Sequence, residues 1–271
     1  MPSPAFQRRD TPGAKTGNQT FPRIPILNVP VDSISEAAVR GWIDEHLSSG
    51  GATRHIVTYN PEYAIAARRD PAFLSALQAA DLVAADGVGI TLAARLHRNA
   101  PPIERITGVR LLGLLAETGV PLFLLGASPG VAEQAAAKLR EQFPNASIAG
   151  WWAGGTPAEA DDAEAIRRIA DSGAVIVAVA YGAPGQIHWI ERNRPALAEH
   201  GVNIVIGVGG ALDYWSGTTQ LPPALIRKLG LEWLYRLVRE PWRWRRQLAL
   251  PRFALLAGGD AVRSWLPGRD R

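Results

Sequence analysis

Six short apolar runs recur along this chain with amphipathic stretches between them, and that alternation limits the fold more than any other feature. The runs are HIVTY (55–59), DLVAA (81–85), PLFLLG (121–126), SIAGW (147–151), VIVAVAYG (175–182) and NIVIGV (203–208). They are too short for helices, rich in β-branched residues and bounded by turn formers, which predicts buried strands. Between them lie SISEAAVRGWIDEHLSS, PAFLSALQAA, GVRLLGLLAET, GVAEQAAAKLREQF and PAEADDAEAIRRIADS. These have helical patterning, and Ser33 or Ser35 is placed to cap the first. Strand, helix, strand at this spacing predicts an α/β fold: a Rossmann-like parallel sheet with helices on both faces. In such sheets ligands bind beyond the carboxyl ends of the strands.

The unusual residues collect at those ends. Thr58 and Asn60 follow the first run, and Asp86-Gly87 follows the second. Gly126 to Gly130, Gly182 to Gln186 and Gly207 to Gly210 follow later ones. Glycine there permits positive φ and close backbone approach to a ligand, often a phosphate. Asp86 is the best candidate general base, because partial burial at a strand end raises a carboxylate's proton affinity. Its alternative role is to cap the following helix, VGITLAARL. Thr58 and Asn60 suit a sugar or phosphate, although Asn60-Pro61 also reads as a helix start. Gln186 reads either as a ligand contact or as an exposed loop amide. Asp213 reads as a ligand contact or a cap.

Several chemistries are excluded or left without support. There is no cysteine, hence no disulfide and no thiol nucleophile. The five histidines (46, 55, 97, 188, 200) lack ligand spacing, HExxH is absent, and no Asp-x-Asp pair holds a nucleotide-sugar metal. Neither GxSxG nor a Walker loop occurs. No cofactor and no metal are therefore expected. The first 23 residues are polar and rich in Pro and Gly, with no apolar segment of a signal peptide, and disorder is expected there. No run reaches the roughly 20 apolar residues of a spanning helix.

The charge is uneven. Residues 227–271 hold eleven Lys and Arg against four Asp and Glu, a balance of +7 in a chain of net +4, so the remainder carries −3. In this tail Arg236, Arg239, Arg243, Arg245 and Arg246 interleave with Trp233, Tyr235, Trp242 and Trp244. Guanidinium groups suit phosphate oxygens, and Trp suits a lipid–water interface. A basic amphipathic element of this kind favours an anionic membrane surface over nucleic acid. Three parts are expected: a tail over 1–23, an α/β domain over 24–223, and a basic, Trp-rich helical appendage over 224–271.

TYN, ADLVAADGVGI, ERITG, LFLLGASPGVAEQAAAKL, YGAPGQIHWI, IGVGGALDYWSG and LGLEWLYRLVREPWRWRR occur in that order. Together they resemble the WecG/TagA/CpsF family of bacterial glycosyltransferases, from about Ile24 to about Leu248. The resemblance implies inverting, metal-independent transfer of a hexose or N-acetylhexosamine. The donor would be a UDP-sugar and the acceptor a polyprenyl-diphosphate-linked sugar. It further implies cell-surface polysaccharide synthesis by a cytoplasmic protein held peripherally at the inner face of the membrane, and the exposed apolar tail leaves room for a homo-oligomer.

Carried over by position, Asp86 matches the proposed base. Thr58, Asn60, Arg105 and Gln186 match pocket residues, and Gly126, Gly209 and Asp213 join them as substrate-binding candidates. Arg236, Arg243 and Arg246 match tail arginines that meet diphosphate and membrane. The chain departs from the family pattern at Arg110, a common Asp, at Gly185 and Ile187, usually Lys and Glu, and at Leu221, usually Arg. These departures leave donor choice open, with a catalytically lapsed UDP-sugar-binding or regulatory protein as the second reading.

Overall fold

A computed structural model describes residues 20–223, 225–226, 230–241 and 244–265, with backbone only at 245 and 246. The expected disorder at the N-terminus thus lies outside the described residues through position 19. Arg23 already opens a strand. Residues Arg23–Ile26 (β1) and Val29–Asp32 (β2) form an antiparallel hairpin that the sequence reading missed. Its burial alternates along β1, but at four residues per strand the pattern is too short to detect.

All six expected strands form, within a residue or two of their predicted bounds. They are Arg54–Tyr59 (β3), Leu82–Ala85 (β4), Leu122–Gly126 (β5), Ile148–Trp152 (β6), Ile176–Ala180 (β7) and Ile204–Gly207 (β8). They make one parallel sheet in the order β4-β3-β8-β7-β5-β6. The fold class is therefore α/β, as expected. β3 and β4 extend toward one edge and β5 and β6 toward the other, with β8 and β7 between them. All carboxyl ends consequently share one rim. The hairpin closes the β4 edge, where the buried Asp32 carboxylate accepts the Val83 amide at 2.7 Å.

The period-two alternation of the strands sorts residues onto two faces. Ile56, Leu82, Ala84, Ile176, Ala178, Ile204 and Ile206 point to one face. Helices Glu36–Ser49 (α1), Gly108–Glu117 (α5), Val131–Gln142 (α6) and Ala211–Ser216 (α9) pack there. Val57, Val83, Ala85, Val177, Val179 and Val205 point to the other. That face is covered by Pro61–Ala67 (α2), Pro71–Gln78 (α3), Val88–Leu96 (α4), Asp162–Ser172 (α7) and Gly185–Glu199 (α8).

Local chemistry starts these helices where the sequence suggests. Ser35, not Ser33, caps α1, and Asn60, Asp70 and Thr107 cap α2, α3 and α5, each accepting the amide three residues on. Past the sheet come Glu232–Arg239 (α10), Trp244–Gln247 (α11) and Ala249–Ser264 (α12). Phe253, Ala257 and Ala261 bury one side of α12, and Phe253 and Ala257 join the core formed by α2, α4 and the hairpin. The Leu27 amide donates to Asp260 at 3.0 Å. The C-terminal helix α12 is thus anchored on the α/β body. α10, in contrast, buries none of its residues.

Candidate active site

The carboxyl rim of the sheet opens into a cleft of about 1530 Å³, walled by the sheet loops on one side and by α10 and α12 on the other. Typical small-ligand pockets measure about 300–1,000 Å³, so this one has room for two sizeable ligands. Of the residues singled out by sequence, Thr58, Asn60, Asp86, Arg105, Gly209, Asp213 and Arg236 line it.

Asp86 stands at its floor, one residue beyond β4. Its amide donates to the Tyr59 carbonyl at 2.8 Å, extending the β3–β4 pairing and fixing the residue at the strand end. It does not cap α4. The N-cap of that helix is Gly87, with no side-chain capping bond. The carboxylate instead accepts the Gly108 amide at the start of α5. Part of Asp86 opens to the cleft, yet protein surrounds the carboxyl densely. Burial, and then the nearby carboxylate of Glu232, push its pKa up to about 7. The Gly108 bond and the guanidinium groups of Arg105 and Arg236 pull the other way and lose.

Arg105 sits in the segment that leads into α5, where the Ile106 amide donates to the Ala85 carbonyl at 2.9 Å. Its Nη1 meets Glu232 Oε1 at 3.1 Å. Arg236 stacks over the Tyr214 ring at 5.2 Å and lies 3.9 Å from Glu240. Its Nε is buried with no acceptor among the described residues. Arg105 and Arg236 thus bring two positive charges to bear on Asp86. Arg243 lies outside the described residues, as does the Arg246 side chain.

Three expectations change character. Gln186 is not an exposed loop amide; it is buried. Its Oε1 accepts the amides of Gly182 and Gly209, each at 3.1 Å, and its Nε2 donates to the Tyr63 hydroxyl at 2.7 Å. It ties two rim loops to α2 and so shapes the cleft from behind. Gly209 lines the cleft, but its amide is committed to Gln186. Gly126 does not line the cleft; Ala127 and Ser128 do. Gly126 has φ +92°, and a side chain there would run into Tyr181 and the Ala180 backbone. Asn60 does act as a helix cap, accepting the Tyr63 amide at 3.0 Å, while lining the cleft. Thr58 is buried, with its hydroxyl 3.4 Å from the Gly207 carbonyl.

Sequence reasoning missed Glu232, Tyr181 and the inner face of α12, all of which line the cleft. Glu232 stands in view within LGLEWLYRL, but its basic and aromatic neighbours dominate the local pattern. The Tyr181 hydroxyl is buried without a hydrogen-bond partner among the described residues, beside Gly155. Among the described residues no three His, Asp or Glu are grouped to hold a metal ion. No described helix is long and apolar enough to cross a membrane.

Comparison with known families places the chain. The family model described as glycosyl transferase WecG/TagA/CpsF matches residues 24–268. The chain belongs to the WecG/TagA/CpsF family. It is similar to the N-acetylglucosaminyldiphosphoundecaprenol N-acetyl-beta-D-mannosaminyltransferase of Bacillus subtilis, 32% identical over 241 residues, or 88% of this chain and 90% of that protein. A protein of the same description from Bacillus spizizenii is 32% identical over 202 residues, or 73% of this chain and 76% of that protein.

Arg110, one of the expected departures from the family pattern, lines the cleft. Its guanidinium is held by Glu36 at 2.6 and 2.8 Å and by Glu117 at 3.2 Å. Its charge is thus met by carboxylates of α1 and α5.

Proposed function

We propose that this glycosyl transferase moves a hexose or N-acetylhexosamine from a UDP-sugar to a polyprenyl-diphosphate-linked sugar, with inversion and without a metal. The Asp86 environment carries the reading. A base with pKa near 7 is half ionised at neutral pH and still holds a proton well enough to take one from a sugar hydroxyl. The acceptor hydroxyl gives its proton to the Asp86 carboxylate as its oxygen bonds to the anomeric carbon. The bond to the UDP oxygen breaks with its electron pair, and the diphosphate leaves as an anion. Arg105 and Arg236 supply the positive charge that the leaving diphosphate requires, with Arg243 and Arg246 as further candidates. Thr58, Asn60 and Asp213 are the polar groups for the sugars, and Gly126, Gly209 and Gln186 serve by shaping the loops around them.

The names of the Bacillus relatives support the lipid-diphosphate acceptor, and they make an N-acetylmannosamine donor the first to try. The uncovered apolar surface supports attachment at the cytoplasmic face of the membrane. Val238, Trp244, Leu255, Val262 and Trp265 in the C-terminal segment are more than half exposed, as are the cleft-lining Leu92 and Leu96. The test is UDP release from UDP-N-acetylmannosamine, UDP-N-acetylglucosamine and UDP-glucose, with a short-chain lipid-diphosphate-linked N-acetylglucosamine as acceptor. Acceptor-dependent release with one donor is expected, falling about 10²–10⁴-fold in Asp86→Asn. Donor binding without turnover across the panel would replace this reading with the lapsed, binding-only one.

A further inference from the structure

Glu232 is a carboxylate in an odd place. An acid beside a general base, in a cleft built for diphosphates, opposes the ligand's own charge. Its position is nevertheless firmly determined. The chain enters α10 through Gly230, whose φ is +71°, and a side chain at that residue would overlap Val88 at the start of α4. The Leu231 amide donates to the Ile226 carbonyl at 3.0 Å. Glu232, in the first turn of α10, thereby arrives above the Asp86-Gly87 corner and binds Arg105 at 3.1 Å. Both partners are more than two-thirds shielded from solvent.

We propose that Glu232 is a positioning residue of the transfer reaction, holding Arg105 beside Asp86 from the first turn of α10.

The physical need is a balance of charge. Asp86 otherwise faces two guanidinium groups, Arg105 and Arg236, and the Gly108 amide. All three favour the ionised carboxylate and would return it toward its ordinary acidity, where it is a poor proton acceptor. The arginines are needed for the diphosphate, so the remedy is a counter-charge. Glu232 neutralises one cation and presents a like charge to the base. The other charged groups that line the cleft are Glu62 of α2, Arg110 and Glu117 of α5 and Asp213 of α9, and none of them changes when residue 232 is replaced. The contribution of the C-terminal segment to catalysis is then separate from any role in membrane attachment.

This inference rests on Asp86 as the base, and the experiment separates the two. Full-length protein, Glu232→Gln, Glu232→Asp, Gly230→Ala and Asp86→Asn are assayed with a soluble short-chain acceptor between pH 5 and 9. Glu232→Gln is expected to move the acid limb of kcat/KM to lower pH by about half a unit or more and to lower the plateau roughly tenfold. Glu232→Asp should restore the limb. Gly230→Ala, which displaces α10 without removing a charge, should move the limb the same way and serves if Glu232→Gln fails to fold. A limb that stays in place in both Glu232→Gln and Gly230→Ala, whatever the plateau does, overturns the proposal, since a merely structural residue lowers rate without changing titration. Full activity in Asp86→Asn would instead remove the base reading beneath it.

Discussion

At the scale of single residues, Asp86 joins structure to chemistry because its proton affinity is set by the fold. Moving a carboxyl from its ordinary 3.8 to about 7 represents roughly 4 kcal/mol of preference for the neutral form. The folded state thus binds a proton that the unfolded chain has released, and stability falls as pH rises from about 4 to about 7. Asp86→Asn removes that liability. It should unfold several degrees above the wild type at pH 8, with the gap closing toward pH 4, as followed by thermal denaturation across pH. A gap that does not depend on pH would mean an ordinary carboxylate at this position. Asp86 was legible in the sequence because a lone acid closing an apolar run is costly to bury, which sets it apart from the solvated acids of the helices. Gln186 was legible as important, but not in its role. Whether an amide meets a ligand or two backbone amides depends on loops 23 residues apart in sequence, which local pattern does not relate.

At the scale of elements, strand bounds and helix caps were readable because each depends on a few adjacent residues. α12 was not. Its sequence ALPRFALLAGGDAVRS suits a helix lying on lipid as well as one packed on protein. The structure divides it, with Phe253, Ala257 and Ala261 inward and Leu255 and Val262 outward. Phe253 is buried against α2 and α4, within reach of Gly89. Phe253→Ala should cost about 3–5 kcal/mol, the usual range for a buried Phe. Because α12 helps wall the cleft, it should also weaken UDP-sugar binding. Calorimetry of unfolding and of donor binding on the same variant checks both. Loss of stability with unchanged affinity would show that α12 does not shape the donor site.

At the scale of the whole molecule, truncation after Pro223 is a poor test of membrane contact, because it would strip α12 from the core. Charge placed on exposed apolar residues of the C-terminal helices is the cleaner probe. Val238→Asp with Leu255→Asp alters two residues that are 72% and 80% exposed, so folding should be preserved. The wild type is expected to float with vesicles rich in anionic lipid and the double variant to remain in solution, with equal melting temperatures. If the variant stays bound while its oligomer dissociates, these residues serve self-association instead.

The sequence by itself determined the alternation of strand and helix, the helix starts and the family, because these rest on local periodicity and short motifs. Tertiary structure alone decided that Gln186 braces loops, that Arg110 is neutralised by α1 and α5, and that Glu232 comes to face Asp86. In each case the partners are distant in the chain and meet only through packing. Electrostatic energy depends on separation in space, and separation along the sequence does not report it.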